Sequence, residues 1–379
     1  MLRNDGFFLD ADSLTEEKID IALNTALKKI KKYIPYFKEG FKPESSVNDV
    51  YEVLDHCSWV ESFYTGTLWL AYELTGDNEY RETAEKHTLF FENKVKERKG
   101  VETHDLGFLY TLSCVAEYKV TGNKKARDIA IEAARLLAVR FQEKGQFIQA
   151  WSSLDNEKEY RLIADCLLNI PLLYWAAEET GDMVFGQIAK AHLKSTQNVV
   201  IRDDGSTYHT YFFDRETGLP KCGKTHQGYK DESAWARGQA WCIYGLVLSN
   251  YYLKDNTMTE DWLRVTDYYL NNLPADKIAY WDFAFKEGAE PRDSSSSVIA
   301  VCGILEAYRQ GLCGEEYLNA AKSMMSAVID KCVTDDSSNG FITHTTYHRD
   351  NGADECTPWG DYFYLEALMR FKKDWKMYW

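Results

Sequence analysis

The chain has 379 residues, 44 of them Lys or Arg and 59 Asp or Glu, for a formal net charge of −15. That balance repels phosphate backbones and anionic membrane surfaces, and no basic cluster offsets it, which argues against nucleic-acid binding. No apolar run is long enough to span a bilayer, and MLRNDGFFLDADS lacks the pattern of a signal peptide. Nine irregularly spaced cysteines without a C-x-x-C read as free thiols, so a soluble cytoplasmic protein is expected, with no disulfide frame or zinc site.

The first predicted helix, 16–34, is amphipathic, and the second, 59–75, is apolar nearly all round. A Thr-Gly-Asp junction at Gly76 and Asp77 leads into an amphipathic helix, 77–97. Apolar 105–121 ends at Gly122 and Asn123 before amphipathic 123–142, where Ala126, Ile129, Ala130, Ala133, Leu137 and Phe141 share a face. Apolar 165–180 ends at Gly181 and Asp182 before amphipathic 182–197. Each glycine suits the left-handed position after a helix end, and each Asp or Asn the N-cap of the next helix. After 199–225, which reads as a short hairpin, the series continues with apolar 235–253, amphipathic 259–272, apolar 293–310, amphipathic 315–331 and apolar 359–373.

A helix apolar all round is buried on most sides, whereas an amphipathic one faces water. The alternation therefore predicts an all-α, single-domain chain (1–379), an (α/α)6 barrel of six inner and six outer helices. An open solenoid would need polar capping helices, yet the last helix, YFYLEALMRF, is apolar and aromatic.

Unusual residues collect where the inner helices begin: DHCSWVESFYTG, THDLGFLY, RLIADCLLN, DESAWARGQAW, PRDSSSSV and TPWGDYFY. Parallel inner helices would bring Trp59, His104, Asp105, Asp165, Trp235, Arg237, Trp241, Asp293 and Trp359 to one mouth. The helix N-termini there would favour an anion. Asp105 and Asp165 each fit an N-cap, or together a working acid pair. The apolar neighbours Leu162, Ile163, Ala164 and Leu167 disfavour a charged Asp165. Arg237 fits a structural partner of Asp231 or, between two tryptophans, a holder of a planar carboxylate. Trp59 and Trp151 fit either the core or a cleft that stacks on sugar faces. His209 and His226 lie in loops, and Ser294 and Ser295 fit caps. No H-E-x-x-H, Ser-His-Asp signature, phosphate loop or dinucleotide fingerprint supports a metal or cofactor.

The ordered motifs HDLGFLY, RLIADCLLNIPLLYWA, TYHTYFFD, THQG, W-x-RGQAW-x-IYG, RDSSSS and WGDYFYLEAL run from about Trp59 to the C-terminus. Together they resemble the unsaturated glucuronyl hydrolases of glycoside hydrolase family 88. The resemblance implies an (α/α)6 barrel that removes the terminal 4,5-unsaturated uronic acid from lyase-generated glycosaminoglycan oligosaccharides. It implies that Asp165 is the acid/base and Asp105 its essential neighbour. It also implies that Trp59, His104, Trp151, His209, Gln227, Arg237 and Trp241 line the substrate site, which Trp235 joins by position. By the same resemblance Asp165 protonates C4 of the vinyl ether and then activates water for C5. Two departures stand out. The segment WVESFYTG has Glu61 and Tyr64 where relatives read closer to W-T-D-G-F-W-S-G. The loop before the last helix offers Thr345, Thr346, His348 and Arg349 in place of the Ser/Lys set that holds a substrate sulfate in some relatives. The rival readings are an unsaturated rhamnogalacturonyl hydrolase and a non-catalytic helical-repeat sugar-binding protein. The sequence leaves the oligomeric state open.

Overall fold

The structure, a computed structural model, describes residues 2–3, 6–56 and 58–379, so the predicted thiol Cys57 lies outside the described residues. Helix α1 (Glu16–Phe37) is capped by the Thr15 hydroxyl, which accepts from the Lys18 N–H. It is followed by α2 (Glu61–Thr75), α3 (Asn78–Glu97) and α4 (Leu106–Tyr110). A π turn (Thr111–Val115) joins α4 to α5 (Ala116–Thr121), and α6 (Lys124–Val139) follows. A small hairpin, β1 (Phe141–Gln142) and β2 (Phe147–Ile148), then β3 (Arg161–Ile163), precede α7 (Pro171–Thr180) and α8 (Met183–Val200). Strands β4 (Thr210–Phe213) and β5 (Pro220–Lys224) lead to α9 (Ala236–Leu253), α10 (Thr259–Asn271), α11 (Ser294–Arg309) and α12 (Glu315–Cys332). A hairpin of β6 (Thr345–His348) and β7 (Asn351–Glu355) precedes α13 (Pro358–Lys372).

The three predicted junctions form as expected. Gly76, Gly122 and Gly181 adopt left-handed φ of 72°, 77° and 75°, and Asp77, Asn123 and Asp182 each accept a backbone N–H two residues on. Burial separates the two helix types. Every residue of α9 from Ala236 to Asn250 is buried, whereas α6 buries only the face carrying Ala126, Ile129, Ala130, Ile131, Ala133, Ala134 and Leu137. Phe141, expected on that face, falls in β1 instead, because α6 stops at Val139.

The apolar helices touch in sequence: α2 packs on α4, α4 on α7, α7 on α9, α9 on α11, α11 on α13, and α13 back on α2. Each amphipathic helix lies against one of them, α3 on α2, α6 on α4, α8 on α7, α10 on α9, α12 on α11 and α1 on α13. The α13–α2 closure is reinforced by the segment after α13, where Lys373 Nζ and Trp375 Nε1 donate to the carbonyl and carboxylate of Glu73. At the end of the chain Trp379 stacks on Phe363 at 5.9 Å and sets an edge on Phe108.

Three local outcomes differ from the sequence reading. Asp165 does not begin an inner helix: residues Ala164–Leu168 form a 3-10 turn, and α7 starts six residues later with Pro171 in its first turn. The predicted hairpin gains a third strand, giving the antiparallel order β3-β4-β5 with Arg161 opposite Phe212. The β6–β7 hairpin was not anticipated. Its strands are short and mostly polar, which is weak strand signal.

Two glycines wedge the 3-10 turn into the ring. A Cβ on Gly107 of α4 would lie 2.1 Å from Asn169 Cα, and one on Gly245 of α9 would lie 2.3 Å from Leu167 Cβ. Only hydrogen at these positions lets both helices close on the turn that carries Asp165.

Candidate active site

A cavity of about 830 Å³ opens where the apolar helices begin. Trp59, Asp105, Asp165, Trp235, Arg237 and Trp241 all line it, as do Trp151 and Gln227 from loops. Of the remaining expected residues, His104 and His209 are buried directly behind this lining. Asp293 and Trp359 are fully buried and do not reach the cavity.

The two acids face each other. A ring nitrogen of His104 and one carboxylate oxygen each of Asp105 and Asp165 lie within 4.8 Å of one another. His104 Nε2 is 3.5 Å from Asp105 Oδ1 and 3.8 Å from Asp165 Oδ1. Burial pushes the His104 imidazole down to about 3, so at neutral pH it stays uncharged and does not neutralise either acid. Neither acid caps a helix: Asp105 stands at the start of α4 without a side-chain cap bond, and Asp165 sits inside its turn.

Their surroundings differ in a way that assigns the proton. Asp105 accepts from the Thr103 hydroxyl at 2.6 Å, which favours its charged form against the effect of burial. Its carboxyl is nonetheless raised to about 6. Asp165 is raised well above the ordinary range, first by burial and then by the neighbouring Asp105 charge. Its Oδ1 has no hydrogen-bond partner in the protein. Two carboxyls with environments that push their affinities apart share out the roles of proton holder and ionised neighbour. Here burial and the Asp105 charge both favour the protonated form of Asp165.

Local chain geometry delivers the pair. The His104 N–H donates to Ala150 O at 2.7 Å, and the Ala164 N–H donates to His209 O at 3.0 Å. Asn169 bridges the two segments, accepting from the Phe108 N–H at 2.7 Å and donating to the Asp165 carbonyl at 3.2 Å.

The aromatic lining is braced from behind. Trp59 stacks on Trp359 at 5.0 Å, and Trp151 meets the His226 ring at 5.2 Å. His209 packs on Trp235 at 4.2 Å, and its Nδ1 accepts from the His226 and Gln227 N–H groups. That places its proton on Nε2. Gln227 in turn donates to Tyr347 O at 2.7 Å, tying its loop to the β6–β7 hairpin.

Arg237 has a different partner from the one the sequence suggested. It pairs with Asp293 at 2.8 Å, while Asp231 takes Lys224. Arg237 also donates to Thr346 O and, at 2.9 Å, to Tyr347 O. Three of its five donors are thus used inside the protein, which leaves two on a side chain that lines the cavity. At three of the expected helix starts one N–H is already bonded within the protein. The first N–H of α9 donates to Trp281 O, that of α11 to His344 O, and the Gly360 N–H of α13 to the Thr357 hydroxyl.

Several cavity residues were not singled out from the sequence. Phe90, Asn93, Lys94 and Glu97 of α3 form one wall, and Tyr347 and Asn351 of the β6–β7 hairpin, beside the expected His348, form another. The α3 residues belong to an amphipathic helix read as wholly outer, and nothing local marks its C-terminal end as facing a site. Glu61 and Tyr64, the departures expected to reshape a subsite, are buried outside the lining. Glu61 pairs with Lys94 at 2.7 Å, and Tyr64 packs on Phe37. Thr345 and Thr346 are buried in β6, and Arg349 pairs with Glu290, so of that loop's four candidates His348 lines the cavity.

Comparison with known proteins gives a consistent result. The sequence profile of Glycosyl Hydrolase Family 88 matches residues 29–373. The unsaturated chondroitin disaccharide hydrolase of Streptococcus pneumoniae is 44% identical over 381 aligned positions, 98% of this chain and 96% of that protein. The crystal structure of unsaturated glucuronyl hydrolase from Streptococcus agalactiae superposes with a TM-score of 0.96 at 43% identity, covering 100% of this chain and 98% of that one. A mutant of the Streptococcus agalactiae enzyme complexed with dGlcA-GalNAc6S superposes with a TM-score of 0.88 at 40% identity, covering 100% and 97%.

Proposed function

The chain belongs to Glycosyl Hydrolase Family 88, and from that premise we propose that it removes the 4,5-unsaturated uronic acid from glycosaminoglycan disaccharides left by lyases, unsaturated chondroitin disaccharide first among them. The observation that carries the reading is the acid pair: a raised, unpartnered Asp165 in the cavity beside Asp105. The aromatic walls suit sugar faces.

The chemistry follows from where the proton sits. Ordinary glycoside cleavage protonates the leaving oxygen. A C4=C5 vinyl ether can instead take its proton on carbon. Asp165 gives its proton to C4, and positive charge develops at C5 and the ring oxygen, beside two carboxylates that stabilise it. Asp165, now ionised, takes a proton from water as the oxygen adds to C5. The resulting hemiketal opens to a C5 ketone and a C1 hemiacetal, which releases the partner sugar as an alcohol. Asp165 ends protonated, ready for another cycle. Asp105 holds the starting proton on Asp165, because two charges at this separation repel. Trp59, Trp151, Trp235, Trp241 and Gln227 position the sugar, with His104 and His209 fixing the segments behind them.

The contact ring supports an (α/α)6 reading in which α2, α4–α5, α7, α9, α11 and α13 are inner and α1, α3, α6, α8, α10 and α12 outer, within a single domain. The described cysteines are all free thiols, which supports a reducing, cytoplasmic setting. No helix among the described residues is long and apolar enough to cross a membrane.

The test is loss of the ultraviolet absorbance of the double bond over unsaturated chondroitin, hyaluronan and rhamnogalacturonan disaccharides. Consumption of the chondroitin or hyaluronan substrate is expected. Turnover of the rhamnogalacturonan fragment alone would overturn the assignment.

A further inference from the structure

Asp293 is fully buried, outside the cavity, and central to three elements that surround it. Its Oδ2 meets Arg237 Nη1 of α9 at 2.8 Å. Its Oδ1 accepts from the Ser295 hydroxyl of α11 and, at 3.4 Å, from the Thr346 N–H of β6. The Ser295 oxygen also takes the Trp359 Nε1–H of α13 at 3.0 Å. The guanidinium held this way lies against the Trp235 ring at 4.4 Å and the Trp359 ring at 4.8 Å. A buried Arg with its charge unmatched would be costly, and removing one partner of such a pair leaves that charge uncompensated.

We propose that Asp293 is the positioning residue that sets the place of Arg237 and cancels its charge in the cavity that Asp165 shares, and so serves the reaction without touching the sugar. The inference rests on the assignment of Asp165 as acid and base. Asp165 is faced by Asp105 and His104 from the start of α4, by Arg237 and Cys242 from α9, and by Cys166 on its own turn. His104 is neutral there and burial keeps both thiols protonated, so Arg237 is the cation of the set. With Asp293 ionised, Arg237 and Asp293 form a neutral pair, and Asp165 can keep its proton. Without that charge, the bare guanidinium favours ionised Asp165 and removes the acid before the first step.

The test is the pH dependence of kcat for wild type, Asp293→Asn and the double variant Asp293→Asn/Arg237→Gln on unsaturated chondroitin disaccharide. The alkaline limb of Asp293→Asn is expected to move to lower pH by about one unit, the scale of an uncompensated neighbouring charge. In the double variant, which has neither charge, the limb is expected to return to or above the wild-type position. A folded Asp293→Asn with lower kcat but an unmoved limb would overturn the proposal. So would failure of both variants to fold, which would assign Asp293 to stability alone. A wild type inactive on every unsaturated uronide would instead sink the functional reading on which the proposal rests.

Discussion

Replacing Gly107 with alanine tests whether the two acids work through their mutual placement. The added Cβ would lie 2.1 Å from Asn169 Cα, 2.3 Å from its O and 2.5 Å from its C. All three are backbone atoms, so no side-chain rotation relieves the clash. Restoring the 2.1 Å approach to an ordinary 3.4 Å contact separates α4 from the Asn169 segment by about 1.3 Å. Asn169 cannot move alone, because it is bonded to the Phe108 N–H, the Asp165 carbonyl and, through its own N–H, Cys166 O. The displacement therefore opens the gap between Asp105 and Asp165. A misplacement of about 1 Å costs roughly 10²-fold in rate, or about 2.7 kcal/mol of transition-state stabilisation. Overpacking itself costs about 1–3 kcal/mol of stability. Kinetics by loss of double-bond absorbance, with denaturant unfolding alongside, reads both. Gly122→Ala is the control: nothing lies within 4 Å of its added Cβ, and its φ of +77° gives only backbone strain, so about 1–2 kcal/mol of stability should go while kcat stays. A folded Gly107→Ala enzyme with kcat within about threefold of wild type would refute placement as the source of activity.

Asp165→Asn should lower kcat by about 10³–10⁴-fold, because one residue serves as both acid and base, while equilibrium titration finds substrate binding retained. The same variant should gain stability over wild type as pH rises. Folded Asp165 holds its proton above its ordinary 3.8, so wild-type stability falls between that value and the raised one, and urea unfolding at rising pH from 4 should show the difference growing until the raised value is passed. A difference independent of pH would contradict the raised Asp165. The kcat profile should also fall on its acid side as Asp105, raised to about 6, takes up a proton. It should fall on its alkaline side as Asp165 loses its own. Glu61→Ala strips the carboxylate from Lys94 in a pair 0% and 9% exposed. It should cost about 3 kcal/mol in denaturant unfolding, and an unchanged midpoint would refute the pair's structural role.

Much of the helical frame was legible because its signals are local. A glycine that must turn left and an Asp or Asn that must cap lie within two residues of each other, and all three junctions formed accordingly. The sequence offered Asp105 and Asp165 as a working pair but left open whether they face each other, and the structure supplies that encounter. Asp165's 3-10 turn was not legible. What shapes that turn is contact with Gly107 and Gly245, far away in sequence. The partner of Arg237 was misread for a related reason: Asp231 is close in sequence, but Asp293 arrives from the next apolar helix. The α3 wall stayed hidden because helical periodicity marks which face is apolar, whereas the wall residues are set apart by lying in the C-terminal half of the helix.

The contact of α13 with α2 also bears on how the molecule is made. Lys373 reaches the Glu73 carbonyl across 300 residues of chain. During synthesis α2, apolar on nearly every side, must therefore wait for α13 before its flank is covered. Contacts so remote slow folding and leave greasy intermediates exposed meanwhile. A growing chain of this architecture is at greatest risk of aggregation just before its last helix emerges, and its dependence on chaperones should be concentrated in that interval.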